Sequence, residues 1–240
     1  MTGGPTRAGD AFLGPPRAAS FAAFGRRVDT WVARIIGPGS DAGALSAREL
    51  TSEEEVARAD RIVHPAPRRR FLAGRALARW ALAPRLGCPP QKVPIGIGRN
   101  GRPVLAIRGG AGARPEATDF NLSHSGDQVV LVVACGLGVG IDVERLADRE
   151  NSRPLARRIF SAREQRLLAA SDRSAYLEQW YRIWTTREAY VKVTGSGLSS
   201  IAADMPGFGE LWVRRDVETA PGYTATAVVR RRDTEEFARS

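Results

Sequence analysis

GVGIDVE (residues 138–144), read together with WTTREAYVK (184–192), sets the frame of this chain. In the first stretch Ile141 and Val143 alternate with Asp142 and Glu144. That period of two belongs to a strand with an apolar face and an acidic face. Glycines at 136, 138 and 140 leave the acidic side uncluttered. In the second, Trp180, Trp184, Glu188 and Lys192 recur every four residues and form one stripe of a helix. Two tryptophans turn such a stripe inward, and charged side chains are seldom buried unless paired or liganded. Three carboxylates and one ammonium could therefore converge on one spot. Hard cations such as Mg²⁺ are held by carboxylates, with a substrate's phosphates completing the shell. Taken singly, each half has a plainer reading. The acids could be a solvated strand end, and Glu188–Lys192 a surface pair worth ~0.3 kcal/mol. The combination is sharper than either half.

Working outward, Phe120–Glu144 reads as strand, turn, strand, turn, strand. FNLSH runs into a turn at Ser125–Gly126–Asp127, Val129–Ala134 is a buried strand, Gly136–Gly138 a turn, and Val139–Glu144 a third strand. Upstream, Val28–Ile36 predicts a strand. LSARELTSEEEVARAD (45–60) predicts a helix start capped by Ser46, with Glu49 at the capping-box position. Arg68–Ala83 predicts a helix that buries Phe71, Leu72, Leu77, Trp80 and Ala81. Pro89–Pro94 is a loop, Val93–Ile97 a short strand and GRNGRP (98–103) a turn. Downstream, Phe160–Ala170 carries a Ser161/Glu164 capping box, and Ser174–Val193 is a helix closed by Gly195. Leu211–Val213 and Tyr223–Val229 are closing strands. The class is α/β (α+β), in two rounds divided near residue 136. The expected organisation is a loose Gly/Pro/Ala-rich leader over 1–15, an N-terminal half over 16–135 and a C-terminal half over 136–240. No close internal repeat accompanies the split.

The 240 residues carry a formal charge of +10, and all but two of the 36 basic residues are arginine, the lysines being Lys92 and Lys192. Such a balance favours nucleic acid, phosphate-rich small molecules or an acidic protein surface. Cys88 and Cys135 are too few for a disulfide framework, which fits a reduced intracellular setting. AASFAAF is too short for a signal-peptide core, and the apolar run Val129–Ile141 is too short for a membrane span. The expectation is a soluble cytoplasmic protein.

Further polar residues are candidates for phosphate contact. Ser123 and His124 sit where a strand meets a glycine turn. Without a GxSxG motif, phosphate contact suits His124 better than nucleophilic catalysis. The run Arg68–Arg70, with Arg58, Arg61, Arg75 and Arg79 nearby, suits either phosphate binding or a solvated face. GRNGRP adds two arginines, with no Walker or dinucleotide fingerprint around them.

The order His64…Arg70…Gly74, Gly101–Arg102–Pro103, FNLSHS, GIDVE, FS..E (160–164) and WTTREAYVK…G.GL, spread over roughly 28–200, resembles the Sfp-type 4′-phosphopantetheinyl transferases. The resemblance implies two similar α/β halves related by a pseudo-twofold axis, with coenzyme A and Mg²⁺ in the cleft between them. It implies transfer of the 4′-phosphopantetheine arm of coenzyme A to a serine of an apo acyl or peptidyl carrier protein, releasing 3′,5′-ADP. On it, Asp142, Glu144 and Glu188 are the carboxylates for Mg²⁺, with Mn²⁺ as an alternative. Glu188 is also the general base, and Lys192, near the phosphates, is the second catalytic residue, placed to stabilise or protonate the departing 3′,5′-ADP. Ser123 and His124 touch coenzyme A, and Arg58, Arg70 and Arg102 bind its nucleotide and phosphates. Acidic carrier domains of fatty-acid, polyketide or nonribosomal-peptide systems are the implied partners, with the enzyme a monomer, no nucleic acid and no membrane. Three positions depart from the pattern. Arg187 replaces the usual lysine with its charge kept, Glu55 stands where one branch has a phosphate-binding lysine, and Phe71 replaces a small polar residue. Two rivals stay open: a basic nucleic-acid-binding module, and another Mg²⁺-dependent phosphoryl enzyme such as a phosphodiesterase, with water as nucleophile.

Overall fold

The structure, a computed structural model, describes residues 11–37, 43–106, 118–205 and 207–232. The chain opens with β1 (Phe12–Leu13), β2 (Arg17–Ala23), β3 (Arg26–Ile36) and β4 (Leu45–Ser46). Two short helices, α1 (Ala47–Leu50) and α2 (Glu53–Asp60), lead into the long α3 (Pro65–Leu86). A small hairpin, β5 (Ile95–Ile97) with β6 (Pro103–Leu105), precedes β7 (Thr118–Ser125), β8 (Gln128–Cys135) and β9 (Leu137–Arg145). Helices α4 (Ser152–Ile159), α5 (Ala162–Ala169) and α6 (Tyr176–Thr194) follow, then β10 (Trp212–Val217) and β11 (Tyr223–Arg231).

All pairings are antiparallel. The larger sheet runs β4–β1–β3–β8–β7, and β2 continues the edge along β3 beyond β1. The smaller sheet runs β10–β11–β9. Strand β8, QVVLVVAC, is buried on both faces, as a continuous apolar run requires. Val129, Leu131 and Val133 point to α3, where Leu72, Ala73, Ala76 and Leu77 meet them. Val130 and Val132 point the other way, onto Val139, Ile141 and Val143 of β9 and Ala225 and Ala227 of β11. Each valine, leucine or isoleucine so buried contributes ~1.5–3 kcal/mol. Helix α6 covers β9 and β11. It comes so close that a Cβ at Gly140 would lie 2.1 Å from the carbonyl oxygen of Ala189.

Most expected elements are present, with differences at their ends. Ala11 and Leu13, expected within a loose leader over 1–15, are instead buried in the α3 core; residues 1–10 lie outside the described residues. The helix start at Ser46, where Glu49 N–H donates to the Ser46 hydroxyl without a return bond among the described residues, ends within one turn, because Thr51 is extended and Ser52 with Glu55 forms a capping box that starts α2. Strand β2 and helix α4 have no counterpart in the sequence reading. Gly136 alone makes the β8–β9 turn, with φ +74, and β9 begins at Leu137. Among the described residues no helix is long and apolar enough to cross a membrane.

Candidate active site

Strand β7 reads Asp119, Asn121, Ser123 and Ser125 at every second position, so these side chains share a face. That row stitches the two sheets together. Val139 N–H donates to Asp119 Oδ2 at 3.0 Å, Ile141 N–H to Asn121 Oδ1 at 3.0 Å, and Arg145 N–H to Ser125 Oγ at 3.1 Å. The same row reaches the acids of β9. Ser123 donates to Asp142 Oδ1 and Ser125 to Glu144 Oε2, each at 2.8 Å. From α6, Lys192 Nζ donates to Asp142 Oδ1 at 2.7 Å, Ser123 Oγ at 2.9 Å and the Ile141 carbonyl at 3.1 Å. An ammonium has three protons, and all three are engaged.

Glu188 lies one turn before Lys192 and is half-buried. Burial, then the charge of Asp142 and more weakly that of Glu144, pushes its carboxyl up to about 7, against the opposing pull of Lys192. Burial and Asp142 also raise Glu144, opposed by the Ser125 hydroxyl and Arg149. Asp142 Oδ2 is buried and has no hydrogen-bond partner. The edge of His124 is open to solvent, but its surroundings are crowded with protein. Desolvation first, then the cations of Arg70 and Lys192, hold its imidazole below the ordinary value. Beside the acids, Trp180 and Trp184 stack with ring centroids 5.3 Å apart, and the Arg149 guanidinium lies over both rings.

Among the described residues no three His, Cys, Asp or Glu side chains close into a metal-holding group by themselves. The donors still fit Mg²⁺, which takes one or two carboxylates and completes its shell with phosphate oxygens and water. Asp142 Oδ2 is an orphaned buried acceptor, and Glu144 and Glu188 are both raised, by burial first and then by the charge of Asp142. A divalent cation would relieve both conditions.

The structure thus brings Asp142, Glu144, Glu188, Lys192 and Ser123 into one neighbourhood, with His124 between it and Arg70. Arg69 and Arg70 line a cavity of about 310 Å³ with Ile35, Ile36, Gly126 and Asp127. Arg58 lies over the Phe71 ring at 5.2 Å, and Arg75 over the same ring at 5.5 Å. Arg102, expected at the nucleotide and phosphates of coenzyme A, is engaged within the fold. Its guanidinium donates to Asp119 Oδ1 at 2.8 Å and to the carbonyls of Phe120, Val139 and Lys192, which ties β7 and β9 to the end of α6. Arg187 is 1% exposed and turns away from the acids. It grips Glu164 of α5 through both carboxylate oxygens and donates to the carbonyls of Ile201 and Ala203. Glu55 faces inward, bound by Arg79 at 2.6 Å with Arg75 at 3.7 Å. Asp119, Asn121 and Arg149 were not candidates from the sequence. The polar alternation along 119–125 was the available signal for the first two.

Two family models match. The one described as 4′-phosphopantetheinyl transferase, N-terminal, covers residues 39–136, and the one described as 4′-phosphopantetheinyl transferase superfamily covers 138–233. The 4′-phosphopantetheinyl transferase HetI of a Nostoc species is 33% identical over 186 residues, 78% of this chain and 76% of that relative. The 4′-phosphopantetheinyl transferase psf-1 of Bacillus pumilus is 30% identical over 178 residues, 72% of each chain. AcpT of Escherichia coli is 38% identical over 139 residues, 57% of this chain and 64% of the relative. The chain belongs to the 4′-phosphopantetheinyl transferase superfamily and is an enzyme of that class.

Proposed function

We propose that this chain transfers the 4′-phosphopantetheine arm of coenzyme A to a serine of an apo acyl or peptidyl carrier protein, with Mg²⁺, and releases 3′,5′-ADP. The observation that supports this reading is that Lys192 bonds Asp142 while Glu144 and Glu188 lie within electrostatic reach of Asp142, in a region matched by the family model. Asp142, Glu144 and Glu188 would hold the cation. When bound, Mg²⁺ supplies a Lewis acid that polarises the diphosphate and neutralises charge on the departing group.

The protein's own residues supply the rest. The carrier serine oxygen attacks the phosphorus bearing the pantetheine arm, and the bond from that phosphorus to the oxygen of 3′,5′-ADP breaks with its electron pair. The serine proton must leave as the oxygen attacks. Glu188, half-buried one turn before Lys192, is the residue proposed to take it, directly or through one water. Lys192 holds Asp142 in place and keeps a fixed positive charge beside the phosphates. Arg70 extends that positive lining toward the nucleotide, with the uncharged His124 beside it as a hydrogen-bonding contact and Arg58 proposed at its edge. Ser123 orients Asp142, and Ser125 orients Glu144.

The chain is proposed to act as a cytoplasmic monomer of two halves, 16–135 and 136–240, related by a pseudo-twofold axis around the cleft. Its charge of +10 would draw acidic carrier surfaces. The test is incubation of the purified protein with apo-carrier domains, coenzyme A and Mg²⁺. A carrier mass gain of one phosphopantetheine is expected. Coenzyme A consumed with no change in the carrier would point instead to a phosphodiesterase. Retention on nucleic acid without coenzyme A binding would point to the basic binding module.

A further inference from the structure

Tyr223, the first residue of β11, reaches from the smaller sheet onto the β7–β8 turn of the larger one. Its hydroxyl donates to Asp127 Oδ1 at 2.6 Å and accepts the backbone N–H of Asp127 at 3.2 Å. Arg34 of β3 donates to the other oxygen of the same carboxylate at 2.9 Å, and the Asp127 carbonyl accepts the N–H of Ile35 at 2.6 Å. Gly126 is required here on two counts. Its φ is +57, and a Cβ on it would stand 2.2 Å from the Tyr223 oxygen.

The turn so pinned has two working ends. Ser125 at its start donates to Glu144 and accepts from Arg145 N–H. Gly126 and Asp127 form, with Arg69 and Arg70, the wall of the 310 Å³ cavity. One phenolic hydroxyl therefore sits on the short piece of backbone that joins the support of a metal-side carboxylate to the wall of the expected nucleotide cavity.

We propose that Tyr223 is a positioning residue that holds Glu144 and the arginine-lined cavity in one register, so that binding at the two is coupled through the 125–127 turn. This rests on the functional reading above. A structural pin alone would affect melting and nothing else. A positioning role affects two binding constants together.

The test is Tyr223→Phe, which keeps the ring and removes both hydrogen bonds. Coenzyme A binding is followed by calorimetry without carrier or turnover. The Mg²⁺ concentration for half-maximal rate, kcat and the melting temperature are measured beside it. Both binding constants are expected to weaken by roughly tenfold, as outer partners of a ligand set do, with kcat at saturation close to wild type. Gly126→Ala, which pushes a methyl into the hydroxyl's place, is expected to give the same paired loss with Tyr223 retained. A lower melting temperature with both constants unchanged overturns the proposal, and so does a change in one constant without the other. If the wild-type chain binds no coenzyme A, the functional reading falls and takes this inference with it. If wild type binds and the variant matches it, only this inference falls.

Discussion

Lys192 of α6 donates to Oδ1 of Asp142 on β9 at 2.7 Å, so the helix motif and the strand motif meet through an ion pair. The pair shares its charge with Ser123, and Glu188 stands one turn away with its carboxyl raised toward neutrality. An acid close to a cation is usually depressed. Here, with no cation bound, burial and Asp142 outweigh Lys192.

Removing the ammonium should therefore disable the site more than the fold. Lys192→Met is expected to lower kcat by about 10²-fold, the scale for loss of one preorganised electrostatic donor. Lys192→Arg should restore little, because a planar fork does not match a carboxylate, a hydroxyl and a carbonyl set around one nitrogen. Steady-state kinetics with a carrier domain decides it, and full activity in the arginine variant would show that charge alone matters.

Glu188 ties activity and stability to pH. Glu188→Gln should bind coenzyme A and lose turnover by about 10²- to 10⁴-fold, the range for a general base. In the metal-free protein its folded value of about 7 lies above the ordinary 4.5. Below 4.5 both states hold the proton and the group makes no difference. Between 4.5 and about 7 the unfolded chain gives up its proton while the folded chain retains it. Stability is therefore lost as pH rises through that window. Glu144 acts in the same direction. The melting temperature should fall from about pH 5 to about pH 8, and Glu188→Gln should flatten part of the slope. An identical slope in the variant would place the titration elsewhere. Added Mg²⁺ should raise stability at the upper end, because it favours the ionised carboxylates.

Arg187 shows where sequence reading stopped short. Replacing the family's lysine by arginine keeps the charge, which suggested little consequence. The side chain, however, points about one residue's rotation around α6 from Glu188, into the α5 contact. Arg187→Lys should lose the two-oxygen grip on Glu164 and the carbonyl bonds to 201 and 203, destabilising by ~1–3 kcal/mol. Arg187→Ala leaves Glu164 without its buried cation and should cost ~3–5 kcal/mol. Urea unfolding measures both, and a neutral alanine variant would contradict the strut.

What the sequence disclosed was periodic. The two-residue alternation of 139–144 and the four-residue stripe 180–192 state which side chains share a face, and those faces do meet. The Ser161/Glu164 box and Gly195 mark helix ends because capping is local chemistry. The partners of Arg102, Arg187 and Glu55 were not legible for the opposite reason. A long side chain can run toward a phosphate or into carbonyls and carboxylates of the fold, and that choice depends on residues far away in the chain. β2 was missed because RAASFAA has small residues and an exposed face, with no clear alternation to read. Leu13 was missed because the glycines and prolines around it suggested a loose segment, yet it fills the core beside α3.

Charge should govern the encounter with the carrier. The chain's +10 would steer an acidic partner, so kcat/KM for the carrier should fall as salt rises while kcat changes little. Stopped-flow association at several ionic strengths separates the two. A flat response would mean that apolar contacts, not the arginines, govern docking.

Gly140 gives the most local prediction. It occupies the strand position between the inward-facing Val139 and Ile141, on the face that α6 covers. A Cβ there would meet the Ala189 carbonyl at 2.1 Å and Val193 at 2.8 Å, and a backbone carbonyl cannot swing aside as a side chain can. Gly140→Ala must therefore lift α6 from β9. The cost should be at least the ~1–3 kcal/mol of an overpacked core, read by urea unfolding. The same displacement draws Glu188 and Lys192 away from Asp142, so activity should fall further than stability predicts. Gly136→Ala makes the contrast. Its φ is positive, unlike that of Gly140, and the atoms nearest the added Cβ belong to the movable guanidinium of Arg26, so it should lose stability through the strained turn and keep its turnover per folded molecule. Equal turnover per folded molecule in both variants would mean that the close α6–β9 contact serves packing alone.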